Sequence, residues 1–169
     1  LEASKEIEKN QKKKVFASDK LKDAEYLGQG STLLIVEGNS AMGGLSQARD
    51  YTKYGVLAIR GKIINCLSNP DEKIFQNEEI KLLLSALNIT PNRYNASKLR
   101  YGKVAICTDA DSDGAHIGLL IMAAFSYLAP DFIKEGRLCW LRTPLYIVEK
   151  GKQRSYYFND EEFNKARGK

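Results

Sequence analysis

Val104-Ala-Ile-Cys-Thr-Asp-Ala-Asp-Ser-Asp-Gly114 is a short apolar run that ends in three alternating aspartates. The apolar part is too short for a helix and reads as a strand covered on both faces, the usual setting of a parallel sheet. Open α/β sheets place ligands beyond the carboxyl ends of their strands, so these aspartates fall where chemistry is expected. Residues two apart in an extended segment point the same way, which predicts Asp109, Asp111 and Asp113 on one side. Three crowded anions repel, and they either share protons or take up a cation. With no accompanying cysteine or histidine cluster, hard oxygen ligands favour magnesium, manganese or calcium over zinc.

Working outward, the same Asp-x-Asp-x-Asp-Gly pattern opens a calcium-binding EF-hand loop. That reading fails because Leu120 stands where a bidentate glutamate is required and because a strand, not a helix, precedes the loop. A plainer alternative is that the aspartates cap the next helix and face water. A second acidic strand end argues against it. Leu33 to Val36 is apolar and empties into Glu37-Gly-Asn-Ser40, where Asn39 or Ser40 is expected to cap the following helix. Gly43 and Gly44 are expected in that helix's first turn, admitting either a phosphate or a closely packed strand. Upstream, Gly28-Gln-Gly30 reads as a break in the chain. Gly55 to Ile59 reads as another strand, and it empties into Arg60-Gly-Lys-Ile-Ile-Asn65, two cations and an amide.

Ile80, Leu83, Leu84 and Leu87 recur at helical spacing, with Asn77 as the cap and Asn88 near the end. The loop from Pro91 to Lys103 is basic, carrying Arg93, Lys98, Arg100 and Lys103. Ile117, Leu120, Ile121, Ala124 and Leu128 predict a largely buried helix ending near Pro130. Leu138 to Leu141 and Leu145 to Val148 are further strands, followed by a hairpin through Gly151 to Tyr157. This alternation predicts an α/β fold: a mostly parallel sheet of about four strands, helices on both faces, and a C-terminal hairpin. Residues 1–30 read as a charged helix or linker, 31–150 as the domain proper, and 151–169 as hairpin and tail.

Lysine and arginine number 26 against 21 acidic residues, a formal charge of +5 that suits a polyanionic partner. No apolar run approaches the roughly 18 to 20 residues of a membrane span. Cys66, Cys107 and Cys139 are odd in number and widely spaced, so neither a disulfide framework nor a zinc site is expected, and a reducing interior is the expected compartment. Asn88-Ile-Thr90 and Asn95-Ala-Ser97 match the glycosylation pattern only by coincidence in that setting. No signal peptide opens the chain, and its start at Leu1 suggests a piece of a longer protein.

A glutamate after one strand and a triple aspartate after another, converging if the strands are neighbours, resemble the TOPRIM domain, a Rossmann-like fold. Together with Arg60-Gly-Lys-Ile-Ile-Asn65, Leu99-Arg-Tyr-Gly-Lys103 and Thr108-Asp-Ala-Asp-Ser-Asp-Gly-Ala-His-Ile117, the chain from about Thr32 to Val148 resembles the cleavage subunit of the type IIA DNA topoisomerases. That resemblance implies Glu37 as general acid and base. It implies magnesium, replaceable by manganese, held by Asp109 and Asp111 with Glu37 and Asp113 close by. Arg60, Lys62 and Asn65 would face double-stranded DNA. It also implies partners: a tyrosine-bearing cleavage domain or subunit, an upstream domain that uses ATP, and a dimeric or heterotetrameric parent without a membrane. The setting would be the DNA-bearing compartment, cytoplasm or nucleus.

Two positions depart from the family pattern. Asn39 replaces the aspartate of Glu-Gly-Asp-Ser-Ala, and Ala58 replaces a proline before the basic motif. Asn39 and Arg60 fall where the family binds quinolone drugs, so drug sensitivity does not carry over. His116, the sole histidine, reads as a cap or supporting hydrogen-bond donor, and Cys107 as core. Competing readings are another TOPRIM enzyme (a primase, type IA topoisomerase or nuclease), which lacks the Arg60 to Asn65 motif, and a DNA-binding and assembly module inactive on its own. A phosphatase using Asp109 as nucleophile is disfavoured by Asp113, where a threonine or valine is expected.

Overall fold

The structure, a computed structural model, describes residues 19–60, 63–91 and 93–168. A five-stranded sheet runs β1 (Leu21–Lys22), β3 (Tyr54–Ile59), β2 (Gly28–Glu37), β4 (Tyr101–Cys107), β5 (Leu138–Trp140) in spatial order. Strands β3, β2, β4 and β5 are parallel and β1 is antiparallel to β3. The four expected parallel strands are therefore present, and β1 adds a fifth. Between them lie α1 (Gly38–Ala48), α2 (Asp71–Gln76), α3 (Glu78–Leu87), α4 (Ser112–Leu128) and α5 (Pro130–Lys134). A separate antiparallel hairpin, β6 (Tyr146–Lys150) and β7 (Gln153–Tyr157), precedes α6 (Asp160–Arg167). Among the described residues no helix is long and apolar enough to cross a membrane.

Side-chain alternation along the strands divides the core between the two faces of the sheet. Leu33 and Ile35 of β2, Leu57 and Ile59 of β3 and Val104 and Ile106 of β4 join the larger cluster with α3 and α4. Leu34, Val36, Val56, Ala58 and Ala105 point the other way, against Met42 and Leu45 of α1. Both faces are thus covered, and this is why the central strands are nearly continuous apolar runs.

The charged N-terminal segment behaves differently from the expected helix or linker wherever it is described; residues 1–18 lie outside the described residues. Leu21 is buried and pairs with Leu57, and a polar clamp holds the strand end. Arg100 Nη2 donates to Asp23 Oδ2 at 2.6 Å, and the Tyr101 hydroxyl donates to Asp23 Oδ1 at 2.6 Å while accepting from the Ala24 amide at 3.1 Å. Burial, reinforced by Asp23, pushes the Tyr101 phenol well above its ordinary value. Gly28-Gln-Gly30, expected to break the chain, lies within β2, where a bulge between Gly28 and Thr32 absorbs it.

Candidate functional site

Register fixes the site. Glu37 pairs with Ile59 on one side of β2, and Val36 pairs with Cys107 on the other. The ends of β3, β2 and β4 therefore deliver Arg60, Glu37 and the Thr108-Asp109 pair side by side, at a strand spacing of about 4.8 Å. The condition set by the sequence, that the glutamate and aspartate strands be neighbours, is met.

Glu37 is exposed and occupies the N-cap position of α1, yet its side chain makes no capping hydrogen bond. Its carboxylate is left for other work. Asn39 and Ser40 lie inside α1 and do not cap it, because Gly38 at φ +71° turns the chain so sharply that the helix starts at once. Asn39 instead uses its Oδ1 to accept from Arg60 Nε. Arg60 Nη2 also lies 3.3 Å from Asp19 Oδ2, an exposed ion pair. The amide that replaces an aspartate thus keeps an acceptor for Arg60 while carrying no charge. Gly43 and Gly44 sit in the second turn of α1, exposed, with open space where a β-carbon would stand. The close strand packing considered for them is absent.

The aspartates do not form the one-sided row that an extended segment predicts. β4 ends at Cys107, and Asp111 is already the N-cap of α4, accepting from the Gly114 amide at 2.8 Å. Asp113 belongs to the first turn of that helix. All three are exposed. Asp109 is set by a close approach: a β-carbon on Gly114 would meet its carbonyl oxygen at 2.3 Å, so the start of α4 rests directly on the Asp109 peptide.

Asn65 lies in a turn after Ile64, where its Oδ1 accepts from the Leu67 amide at 3.0 Å. Lys62 falls outside the described residues. His116 is exposed in the first turn of α4, and the capping role belongs to Asp111. Cys107 packs on the α1 side, its thiol pushed up to about 11 by burial. All three cysteines are free. Arg100 of the basic loop is part of the clamp on Asp23. Thr108 was not singled out by sequence reasoning, being an ordinary strand former within an apolar run, yet it is 3% exposed and its Oγ1 has no hydrogen-bond partner among the described residues.

The donor chemistry fits a divalent cation. Glu37 at the end of β2, Asp109 beyond β4 and Asp111 at the cap of α4 are exposed and offer only hard oxygens, and magnesium is held by one or two carboxylates while waters and phosphates fill its other positions. Among the described residues no three Asp, Glu, His or Cys side chains are grouped so as to hold a metal ion by themselves.

Comparison with known proteins agrees with the geometry. The Toprim domain family model matches residues 32–139. The chain is 42% identical over 136 residues to the B subunit of DNA gyrase from Eisenibacter elegans, covering 77% of this chain and 28% of that protein. It is 41% identical over 132 residues to the B subunit of the type 2 topoisomerase from Aquifex aeolicus, covering 78% of this chain and 17% of the relative. It is 40% identical over 156 residues to the B subunit of DNA topoisomerase 4 from Rickettsia bellii, covering 91% of this chain and 23% of that protein. Among solved structures, the DNA-binding, cleavage and re-ligation domain of Plasmodium falciparum topoisomerase II superposes with a TM-score of 0.79 at 30% identity, over 90% of this chain and 22% of the other. The chain spans less than a third of the length of each of these relatives. By its sheet order, its strand-end acids and these matches, the chain belongs to the Toprim domain family.

Proposed function

We propose that this chain is the metal-binding half of a DNA cleavage and religation centre in an ATP-dependent type IIA topoisomerase. The observation that carries this reading is the row of Arg60, Glu37 and Asp109 at the ends of three consecutive strands, in a chain whose relatives are topoisomerase B subunits. The reaction is transesterification: a tyrosine from a partner domain or subunit attacks a phosphate of double-stranded DNA, and the departing 3′ oxygen requires a proton. Glu37 is positioned to give that proton and to reclaim it on religation, since its carboxylate is exposed and not used in capping. Asp109 and Asp111 would hold magnesium, with Asp113 beside them. The cation, when bound, supplies charge stabilisation at the departing oxygen. Arg60, Lys62 and Asn65 would contact DNA through charge and neutral hydrogen bonding, which suits sequence-tolerant contact with the backbone. ATP use and the nucleophilic tyrosine belong to the partners, so these 169 residues alone neither relax nor supercoil DNA.

The test is titration calorimetry with manganese on the wild type and an Asp109→Asn, Asp111→Asn double variant. Binding should be measurable in the first and lost in the second, because clustered carboxylates relieve their repulsion by taking up a cation. Identical binding by both proteins would contradict the assignment.

A further inference from the structure

Thr108 carries an unsettled polar group at the heart of the strand-end row. The residue is only 3% exposed, and its Oγ1 finds no partner among the described residues. A buried hydroxyl without a hydrogen bond is costly, so such groups in folded proteins call for a functional or structural reason. Alternation along β4 sets the direction of the side chain. Val104 and Ile106 face the larger core cluster and Ala105 faces the smaller one, and continuing that alternation one residue past the end of β4 puts Thr108 on the larger side. The same count along β2, from Leu33 and Ile35 on that side, puts Glu37 there too. Val36 pairs with Cys107 at the end of the ladder, and Glu37 and Thr108 each follow that pair by one residue on two parallel strands whose spacing is about 4.8 Å. The carboxylate is exposed and makes no bond to the helix it precedes. An unpartnered buried hydroxyl thus follows the last pair of the ladder on one strand, and a carboxylate that caps nothing follows it on the neighbouring strand.

We propose that the Thr108 hydroxyl is a positioning group for Glu37, donating a hydrogen bond to its carboxylate when that side chain turns in over the strand ends toward bound DNA. Thr108 is almost fully buried, and the start of α4, pressed onto the Asp109 peptide at Gly114, fixes the backbone that follows it. The side chain of Glu37 is long and free to rotate, whereas Thr108 is β-branched and fixed, so the rigid partner sets the geometry of the mobile one. Thr108 touches neither DNA nor metal in this arrangement and acts only through Glu37.

This inference rests on the cleavage-centre reading, and the test separates the two. Single-turnover DNA cleavage is measured in the complete parent enzyme with its tyrosine-bearing partner, for Thr108→Val, Thr108→Ser, Glu37→Ala, and Thr108→Val combined with Glu37→Ala. Thr108→Val should slow cleavage about 10- to 100-fold, the size expected for a hydrogen bond to a charged group. DNA affinity should be unchanged and the melting temperature unchanged or higher, because a methyl replaces an unpartnered hydroxyl of the same shape. Thr108→Ser should restore most of the rate. In the Glu37→Ala background, Thr108→Val should cost nothing further, which a merely structural role would not produce. Equal losses in both backgrounds, or a rate loss that tracks a lowered melting temperature, would overturn the proposal. If Glu37→Ala slows cleavage and Thr108→Val does not, only the role of Thr108 fails. If Glu37→Ala itself leaves cleavage intact, the cleavage-centre reading fails and this inference with it.

Discussion

A β-carbon at Gly114 would lie 2.3 Å from the carbonyl oxygen of Asp109 and 2.8 Å from its nitrogen, distances that backbone atoms cannot accommodate without moving. Gly114→Ala should therefore destabilise the chain by about 1 to 3 kcal/mol, as overpacking does, and displace the Asp109 peptide. Gly43→Ala, in a helix with open space around the new methyl, should stabilise by up to about 1 kcal/mol through helix propensity. Urea denaturation midpoints check both: equal midpoints for Gly114→Ala and wild type would contradict the close approach. The acids at residue level were legible because an apolar run ending in Glu37 or Asp109 announces a strand emptying into a site. Asn39 was misjudged because cap preference assumes that the helix begins after the polar residue, whereas Gly38 starts it earlier. Thr108 was illegible because only the fold reveals that its hydroxyl is buried without a partner among the described residues, just past the end of β4.

Among the elements, α3 is the one whose two ends are both written in its sequence. Asn77 Oδ1 accepts from the Ile80 amide at 3.1 Å, and Asn88 closes the helix at φ +56°. Asn77→Ala should cost about 1 kcal/mol, the usual value of a lost N-cap, and lower the melting temperature by about 2 to 4 °C in a chain of this size. A midpoint unchanged in thermal denaturation would show that Ile80 finds another acceptor. The C-terminal end of α4 was readable from Pro130, whereas its start was not, because the aspartates weigh toward a cation site in the sequence and Asp111 nonetheless caps the helix. β1 was not, because two residues carry no period and Leu21 is the single apolar group in a charged stretch; its pairing depends on the distant Asp23, Arg100 and Tyr101 clamp. The start of β2 was hidden because glycines usually break strands. α6 in the tail went unread, although Asn159 and Glu162 bond reciprocally at its start, a local signal that the sequence does carry. That helix is held to the hairpin by Phe163, whose ring stacks 4.1 Å from Tyr146.

Across the whole molecule, parallel order β3-β2-β4 gathers acids from two strand ends and Arg60 from a third onto one edge. The sheet class follows from the alternation of apolar runs and amphipathic segments, whereas spatial order does not, because adjacency of β2 and β4 is a property of the crossovers. If the edge contacts DNA, Lys62→Ala should weaken binding about equally across sequences and reduce the logarithmic salt slope by roughly 0.9, the share of one phosphate contact. Fluorescence anisotropy over a salt series measures it, and an unchanged slope would place Lys62 away from DNA. The central claim is that Glu37 exchanges a proton at the cleaved phosphate, and Glu37→Gln isolates it by keeping size and most hydrogen bonding while removing the titrating group. The decisive measurement is single-turnover cleavage by the complete enzyme as a function of metal concentration, for wild type and Glu37→Gln. Cleavage and religation should both slow by on the order of 10² to 10⁴ with DNA affinity nearly unchanged, and added magnesium or manganese should not recover the rate. A variant that returns to the wild-type rate at high metal would make Glu37 a ligand instead, and a variant at the wild-type rate throughout would contradict the site.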